Sequence, residues 1–482
     1  FDGQLAGNID VSRLTGQLTA SEILVPKTKL TGVTIENIEL VTAPELELKT
    51  GQVKTQTVNS NPLIANSVVV PSVSVKLLPN NISLNLPQLL VGTLAIPKGQ
   101  LRDIKLSQID LNIVEKQITT KVKQTNVGSL NVDKARLSGV SLNDTVATVQ
   151  DDKYQINSDL FLANGQAEKL QIGQTTGKLG LDNNKATLQN LKTKLLGGEA
   201  DLELELALTN NNKSSLQTKF RQIDSAELVK LGKEGQGLPV NGLISGDANL
   251  SWPGINFLKV TGELKAIAEG QASKDLNQLP LTANLQVLAN QGNLTIKPLT
   301  AKLGEINLTA QAEFSPQNNL LKAEYKVDTT RSEELLVLAK NLKLLDQGLL
   351  DLKPNLAGDL QAIGQINGQL DKLNVESDIK IDQVGFQENK FKNLNGKLKL
   401  NPDEVSFVID KLFDNQGGFM QLDFQQKVND KNSGQIKADF TDFYLQFYQP
   451  STTKELFAGQ INGTVELSQL AEKPSGIAKL NL

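Results

Sequence analysis

Apolar and polar residues alternate along most of the chain. Leu202, Leu204 and Leu206 are separated by glutamates, and the segment 306–314 alternates in the same way around Asn, Thr, Gln and Glu. Alternation with a period of two places one set of side chains on each face of a β-strand. Because helical periodicity is rare, the pattern predicts strands with one buried face over most of the chain.

The apolar positions of the clearest alternating segments are candidates for the lining of one continuous apolar face. These candidates are Leu202, Leu204, Leu206, Leu208, Ile306, Leu308, Phe314, Met420, Leu422 and Phe424. Clusters rich in Asn, at 182–184, 210–212, 317–319 and 429–432, separate such segments. Asn and Asp favour turns because their side chains bond their own backbone and tolerate positive φ. We therefore expect antiparallel strands joined by polar turns.

A short motif, G-x-[Ile/Leu]-x-G, recurs within strand-like surroundings. Its copies begin at residues 3, 242, 364 and 459, and the last two both read GQING. Two glycines four residues apart lie on one face of a strand, where missing side chains permit close approach or a bend. The glycines that mark this repeat are Gly3, Gly7, Gly242, Gly246, Gly364, Gly368, Gly459 and Gly463.

Short segments with helix-start signals precede the last three copies of the motif. They are 225–231, 332–342 and 452–457, and Asp or Thr at each start is followed three residues later by Glu. That spacing is typical of a capping box. Helices this short are unstable alone in water, so we expect them to cap the sheet between repeats.

These features predict an all-β fold, an elongated and repeat-built antiparallel β-groove that curls like a β-taco and carries a few short helices. The repeats divide the chain into an N-terminal β-repeat segment, 1–170, and three further repeats, 171–260, 261–370 and 371–482. From the pattern alone, the apolar face could be a closed core or an open trough for long apolar molecules. Trp252 is predicted to pack beneath a turn, and the alternative is a position at the rim of a lipid groove. The aromatic group 440–448 could be a plug, a contact surface or a trough wall.

The composition narrows the chemistry that this chain can perform. Its 482 residues include neither Cys nor His, which excludes Ser-His-Asp and Cys-His catalysis, structural zinc and disulfides. Paired carboxylates such as Asp151-Asp152 are expected in solvated loops. We therefore expect no enzyme activity, no catalytic residues, no metal site and no cofactor.

The charge and aromatic content argue against a nucleic-acid partner. The net charge is −4, from 49 Lys and Arg against 53 Asp and Glu, and aromatic residues make up 4 % of the chain. Neither a basic surface nor a stacking platform is indicated. No apolar run reaches the ~20 residues that a membrane helix needs. Because the chain opens on Phe1 and its one Met is Met420, we expect a fragment of a longer protein whose anchor lies elsewhere.

Several segments resemble the repeating middle region of the TamB (translocation and assembly module) family, within the wider AsmA-like group of bridge-like lipid transfer proteins. The resemblance is carried by AGDLQAIGQINGQL at 357–370, FKNLNGKLKL at 391–400, DNQGGFMQLDF at 414–424, FAGQINGTVELSQL at 457–470 and LLGGEADLELELAL at 195–208. It covers roughly 170–482, and before residue 170 only the first glycine motif and the strand pattern agree.

The resemblance implies a protein of outer-membrane biogenesis in the periplasm of a diderm bacterium, anchored in the inner membrane. Its hydrophobic β-groove would carry phospholipid between the inner and outer membranes. The implied partners are phospholipid acyl chains, the inner membrane through an anchor outside this chain, and an outer-membrane barrel assembly protein of the TamA/BamA type. One alternative is a translocation and assembly scaffold for outer-membrane β-barrel proteins or autotransporters. A lesser one is an AsmA-like envelope protein or an extended surface stalk.

Overall fold

The computed structural model describes residues 3–6, 9–10, 13–42, 45–209, 212–231, 240–270, 278–335, 338, 355–386, 389–430, 433–448, 455–470 and 475–481. The chain divides into two compact units. Unit 1 comprises Phe1–Phe220 and Pro253–Ile255, and unit 2 comprises Arg221–Trp252 and Asn256–Leu482.

Unit 1 consists of strands in its described residues. They are β1 (Gly3–Ala6), β2 (Ile9–Asp10), β3 (Arg13–Val25), β4 (Thr28–Val41), β5 (Leu46–Thr50), β6 (Val53–Ser60), β7 (Leu63–Val70), β8 (Val73–Leu78), β9 (Asn81–Ile96), β10 (Gly99–Val114), β11 (Gln117–Val132), β12 (Ala135–Gln150), β13 (Lys153–Ala167), β14 (Leu170–Asp182), β15 (Lys185–Leu195) and β16 (Gly198–Ala207). From β9 to β16 each strand pairs antiparallel with the next along the chain. Before β9, β4 pairs with both β5 and β6, while β9 pairs with both β7 and β8.

Strand β17 (Lys213–Asp224) leads from unit 1 into unit 2. The elements of unit 2 are α1 (Ser225–Lys230), β18 (Val240–Pro253), a 3-10 turn (Phe257–Lys259), β19 (Thr261–Gly270), β20 (Leu279–Asn290), β21 (Asn293–Leu303), β22 (Ile306–Ser315), β23 (Leu320–Thr329), β24 (Asn355–Gln369), β25 (Lys372–Phe386), β26 (Asn389–Leu400), β27 (Glu404–Phe413), β28 (Phe419–Lys427), β29 (Gln435–Tyr448), β30 (Glu455–Ser468) and β31 (Ser475–Asn481). From β18 to β31 the strands again pair antiparallel in chain order. The predicted fold class, a long antiparallel sheet with short helices, is confirmed.

The long strands of unit 1 change phase twice along their length. Strands β9 to β12 are each 16 residues long. In β10 two polar residues, instead of one, separate Leu101 from Ile104, and Asp103 between them has a φ of 54°. Gln108, with a φ of 53°, makes a second such place before Ile109. Because two consecutive side chains lie on the polar face there, that face becomes longer and the strand bends towards its apolar side.

The bends line up across neighbouring strands because the register brings them opposite one another. Asp103, in the left-handed region, lies opposite Gly92 and Gly128 on the adjoining strands, and a Cβ added to Gly128 would lie 3.0 Å from the Cβ of Asp103. The first line of bends crosses β4 to β13 at Gly32, Gln56, Ser67, Gly92, Asp103, Gly128, Gly139 and Ala163. Four of these residues have positive φ, Gly32, Ser67, Asp103 and Gly139.

A second line of bends runs five residues further along β10. It includes Gln108 and Asp144, whose φ is 50°, and the carboxylate Oδ1 of Asp144 lies 2.5 Å from Nζ of Lys123 on β11. The apolar residues beside the two lines are buried, with 6–7 % exposure, and they are Ile104, Val127, Ile109 and Val122. Their burial places them in the inner corners of a sheet that folds towards its apolar face, which makes this face the inside of a trough.

We expect Gly128→Val to destabilise the bent part of unit 1 by about 1 kcal/mol, a typical value for a single substitution, because Gly128 is exposed but the neighbouring Asp103 must shift. The added side chain would press on the Cβ and carboxylate of Asp103, which lie 3.0 and 3.2 Å from the ideal Cβ position. Hydrogen exchange should become faster in β10 and β11. Ser129→Val, one residue further along β11, is the matched control, and equal effects of the two variants would contradict the alignment of bends.

The sheet of unit 2 closes on itself near its C-terminal strands. The Asn389 side chain at the start of β26 donates to the carbonyl of Gln446 on β29 and accepts from its N–H at 2.8 Å. The hairpin β27–β28 between them is shorter, and the Asp414 carboxylate at its turn accepts from the N–H groups of Gln416, Gly418 and Tyr444. These contacts bring β26 and β29 together at the end where the hairpin stops.

The helix predictions have mixed outcomes. Helix α1 is confirmed, because Asp224 accepts from the N–H groups of Ala226 at 2.7 Å and Glu227 at 3.4 Å. Residues 333–335 are helical, and most of the remainder of the segment 332–342 lies outside the described residues. The helix at 452–457 is wrong where described, since 455–457 belong to β30 and pair with β29. Pairing along a whole strand outweighs the weak preference of so short a helix.

Trp252 is 7 % exposed and packs edge-to-face on Phe257 at a ring distance of 5.1 Å, as predicted for a residue beneath a turn.

The compact units divide near residue 220. The four segments 1–170, 171–260, 261–370 and 371–482 remain a prediction, and residue 170 begins β14, which pairs directly with β13.

Candidate functional site

The apolar face of β9 to β16 consists of rows that run across the strands. Two of the rows, read from β9 to β16, are Leu84, Leu111, Thr120, Ala147, Ile156, Leu181, Ala186 and Leu206, and Val91, Ile104, Val127, Val140, Leu162, Thr175, Thr193 and Ala200. No member of either row is charged. At ~4.8 Å between strands, rows across eight strands run about 34 Å. Each row is thus a path at right angles to the strands along which an apolar chain could lie.

The exposure of this face rises from its middle to its edges. Ile104 and Ile109 in the middle of β10 are 7 % and 6 % exposed, whereas Ile82 and Val149 near the ends of their strands are 37 % and 39 % exposed. Most other apolar side chains of this face are half-buried. In a β-sandwich, a second sheet would cover the apolar face and also bury the apolar side chains near the strand ends. The outer rows are therefore open to a ligand.

The opposite face of the same strands is polar and charged. On β10 it carries Arg102, Lys105 and Asp110, which alternate with the apolar positions. The side-chain amide of Asn85 on the neighbouring strand β9 donates a hydrogen bond to Oδ1 of Asp110 at 2.6 Å. The strong difference between the two faces means that a ligand of long aliphatic chains would be bound on one side only.

The predicted lining residues of β16 lie on this apolar face, with one exception. Leu202, Leu204 and Leu206 pair with Leu191, Leu188 and Ala186 of β15, which belong to the same face. Leu208 lies after the end of β16 and is 43 % exposed. Its N–H donates to the carbonyl of Asn184 in the neighbouring turn at 2.7 Å.

The structure also places hydroxyl groups on this face that sequence reasoning missed. The side chains of Thr145 and Ser158 bond to each other at 2.8 Å, and those of Thr175 and Thr193 do so at 2.7 Å. Ser158 also donates to the carbonyl of Asn143, beside the second line of bends. Because these hydroxyls have partners within the sheet, they add little polarity to the trough. Their role follows from the pairing of strands, so no local sequence signal marks it.

The predicted lining residues of unit 2 also share one face of its sheet. Ile306, Leu308 and Phe314 alternate with exposed residues on β22, and Ile306 is 5 % exposed. On β28, Met420 pairs with Phe440, Leu422 with Ala438 and Phe424 with Ile436. The apolar neighbours on both sides place these six residues on the apolar face of unit 2.

The C-terminal part of this face is a closed core. Phe391, Leu394, Ile409, Leu412 and Phe443 form a buried cluster, with Met420 and Leu422 packed against it. The rings of Phe391 and Phe443 stack at 5.2 Å although their strands are separated by β27 and β28. Of the aromatic group 440–448, Phe440 and Phe443 therefore act as an internal plug, and the side chains of Phe447 and Tyr448 lie outside the described residues.

The glycines of the repeated motif have different surroundings. Gly242 and Gly246 pair with Gly270 and Ala266, and Gly459 pairs with Leu445. Gly368 and Gly463 both have a φ of 133°. Gly3 lies in β1 opposite Ala20, whereas Gly7 lies outside the described residues. Gly364 has the clearest reason to be glycine. A Cβ there would lie 2.5 Å from Oη of Tyr325 and closer still to the carbonyl of Glu376. The missing side chain makes room for the Tyr325 ring on the apolar face.

Neither site chemistry nor known relatives assign a function to this chain. Within the described ranges, no three or more Asp and Glu side chains form a group that could hold a metal ion. The helices found in that part of the chain are too short or too polar to cross a membrane. No protein-family model matches the chain, and a search of curated proteins finds no match.

Proposed function

We propose that this chain is part of an outer-membrane biogenesis protein of the bacterial envelope, and that its apolar trough carries phospholipid between the inner and outer membranes. The observation that carries the proposal is the set of uncharged rows that cross β9 to β16 on one half-exposed face. Each CH₂ group removed from water contributes about 0.8 kcal/mol. A trough of this kind therefore holds acyl chains without any specific polar contact, which suits lipid movement along the rows.

Further support comes from the resemblance of residues 170–482 to the TamB and AsmA-like repeats. On that basis we place the chain in the periplasm of a diderm bacterium, as part of a protein with an inner-membrane anchor beyond this sequence and a TamA/BamA-type partner. The half-buried state of the outer rows favours an open trough over a closed core in unit 1. In unit 2 the cluster around Phe443 favours a closed core between β26 and β29.

We expect Leu111→Asp to remove most of the phospholipid that purifies with the protein, by about tenfold or more, because an unpaired charge in an apolar trough is strongly unfavourable. Leu111 is the second member of its row and lies between Leu84 and Thr120. The measurement is native mass spectrometry of the protein purified from a bacterial envelope, with the lipid quantified after extraction.

The matched control is Asn112→Asp, which places the same charge on the neighbouring residue and on the polar face. It should leave the bound lipid unchanged, and circular dichroism should show both variants folded. Protein that never carries lipid, or two variants that lose lipid equally, would rule out the apolar face as the lipid-binding surface.

A further inference from the structure

Three neighbouring hairpin tips form one corner of unit 1. Their turns are Pro26-Lys27 between β3 and β4, Asn61-Pro62 between β6 and β7, and Pro97-Lys98 between β9 and β10. The tips are adjacent because β4 pairs with β6 and β7 pairs with β9. We call residues 23–29, 60–64 and 96–99 the tip cluster.

The tip cluster exposes large aliphatic side chains on both faces of the sheet. Leu24 and Ile64 are 70 % and 38 % exposed, and the register places them in one row on the polar face, through Lys29 and Asn59. Val25 and Leu63, 47 % and 42 % exposed, lie on the opposite side of the same tips. A protein docked on one face would leave the other aliphatic pair in water. A lipid interface surrounds an inserted tip and covers both pairs.

The charges of the tip cluster are all positive. They are Lys27, Lys29 and Lys98, and Glu22 just below the cluster forms an ion pair with Lys29 at 2.7 Å. Lys27 and Lys98 have no ion pair with a described residue. Lysines beside exposed aliphatic residues complement an anionic lipid surface.

The next two hairpin tips along the same rim of unit 1 contain acidic residues as well as lysines. Their turns are Asp133-Lys134 and Glu168-Lys169, and Nζ of Lys134 lies 2.6 Å from Oε1 of Glu168. The hydrogen bond from Lys134 lowers the pKa of Glu168, so the pair stays charged and internally compensated. Acidic residues would repel anionic headgroups there, which limits the basic and apolar surface to the three proline-containing tips.

The prolines themselves suit a lipid interface. Pro26, Pro62 and Pro97 each occupy one of the two turn residues. Proline has no backbone N–H, and an N–H group that leaves water without a partner is strongly unfavourable. Each tip therefore presents fewer unpaired donors than an ordinary two-residue turn.

We propose that the tip cluster binds the surface of an anionic lipid bilayer. Leu24, Val25, Leu63 and Ile64 enter the boundary between headgroups and acyl chains, while Lys27 and Lys98 pair with lipid phosphates. The binding uses the hairpin tips at one rim of unit 1 and does not require lipid in the trough.

The test is co-sedimentation of the full chain with vesicles of phosphatidylglycerol and phosphatidylcholine, against vesicles of phosphatidylcholine alone. The parent protein should bind the anionic vesicles, and the double variant Leu24→Glu/Ile64→Glu should bind at least about tenfold more weakly. Lys27→Gln and Lys98→Gln should each weaken binding by about fivefold at low salt. Added salt should remove the lysine contribution first.

Two controls place the same changes elsewhere. Ile267→Glu alters a side chain that is 55 % exposed on β19, and Lys116→Gln alters the opposite rim of unit 1; both should bind as the parent does. Parent protein that binds neither vesicle, or tip variants that bind as the parent does, would overturn the proposal. So would tip-dependent crosslinking to a protein without vesicle binding. Trough lipid measured on the same samples keeps the result separate from the proposed function, because tip variants should retain it.

Discussion

Replacing Phe443 with alanine should lower the free energy of unfolding of unit 2 by about 4 kcal/mol, the middle of the range for a buried aromatic residue. Phe443 is 1 % exposed, stacks on Phe391 at 5.2 Å and contacts Phe440 at a ring distance of 5.7 Å. Its removal would leave a cavity where β26 and β29 meet. Chemical denaturation followed by circular dichroism measures the loss, and hydrogen exchange should become faster in β26 and β29.

Phe424→Ala is the matched control for this variant. Phe424 lies on the same apolar face but is half-buried, so its loss should be roughly half as large because less surface leaves water on folding. A loss below about 1 kcal/mol for Phe443→Ala would contradict a packed core at this end of the sheet, since so small a value is typical of surface sites.

Gly364→Ala should destabilise unit 2 by about 3 kcal/mol, the upper range for overpacking a core. The new methyl group would need the space of the Tyr325 ring, whose Cζ lies 2.6 Å from the ideal Cβ position, and of the Glu376 carbonyl. Both neighbours belong to adjoining strands, so relief requires a shift of β23 or β25. Trp252 is the one Trp of the chain and lies in unit 2, so its fluorescence reports the unfolding transition.

Gly417→Ala separates this steric effect from the general effect of removing glycine. Gly417 has a φ of 101° but no atom within 4 Å of its ideal Cβ position, so its replacement carries the conformational strain alone, roughly 1–2 kcal/mol. If the two variants were equally stable, the close contact with Tyr325 would have no energetic weight.

Alternation alone predicted the strands and the side of each strand that is apolar. The segment from Ile306 to Phe314 is a strand whose apolar residues are less exposed than its polar ones. The phase changes of β10 are equally visible in the sequence, as the two polar residues between Leu101 and Ile104. The sequence did not show that these phase changes are bends within one strand, because a single phase change looks like the end of one strand and the start of another.

The helix at 452–457 failed for a related reason. Thr452 and Glu455 have the spacing of a capping box, which is a local signal, whereas Phe457 pairs with Phe447 of β29. A ladder of pairs along β29 and β30 contributes more than one capped turn. Periodicity predicted Leu208 on the apolar face in a similar way. Strand β16 ends at Ala207, so Leu208 lies in the following turn, where the alternation no longer applies.

Antiparallel strands with one apolar face can be predicted from the amino-acid sequence, because a period of two depends only on neighbouring residues. The places where that face bends, stays open or closes depend on contacts between strands that are far apart in the chain. Asp103 and Gly128 form a bend because the register brings residues 25 positions apart opposite each other. Phe391 and Phe443 form a plug because Asn389 joins β26 to β29 beyond a short hairpin. Contacts between residues so distant in the chain have no local pattern, so they appear only once the strands are paired.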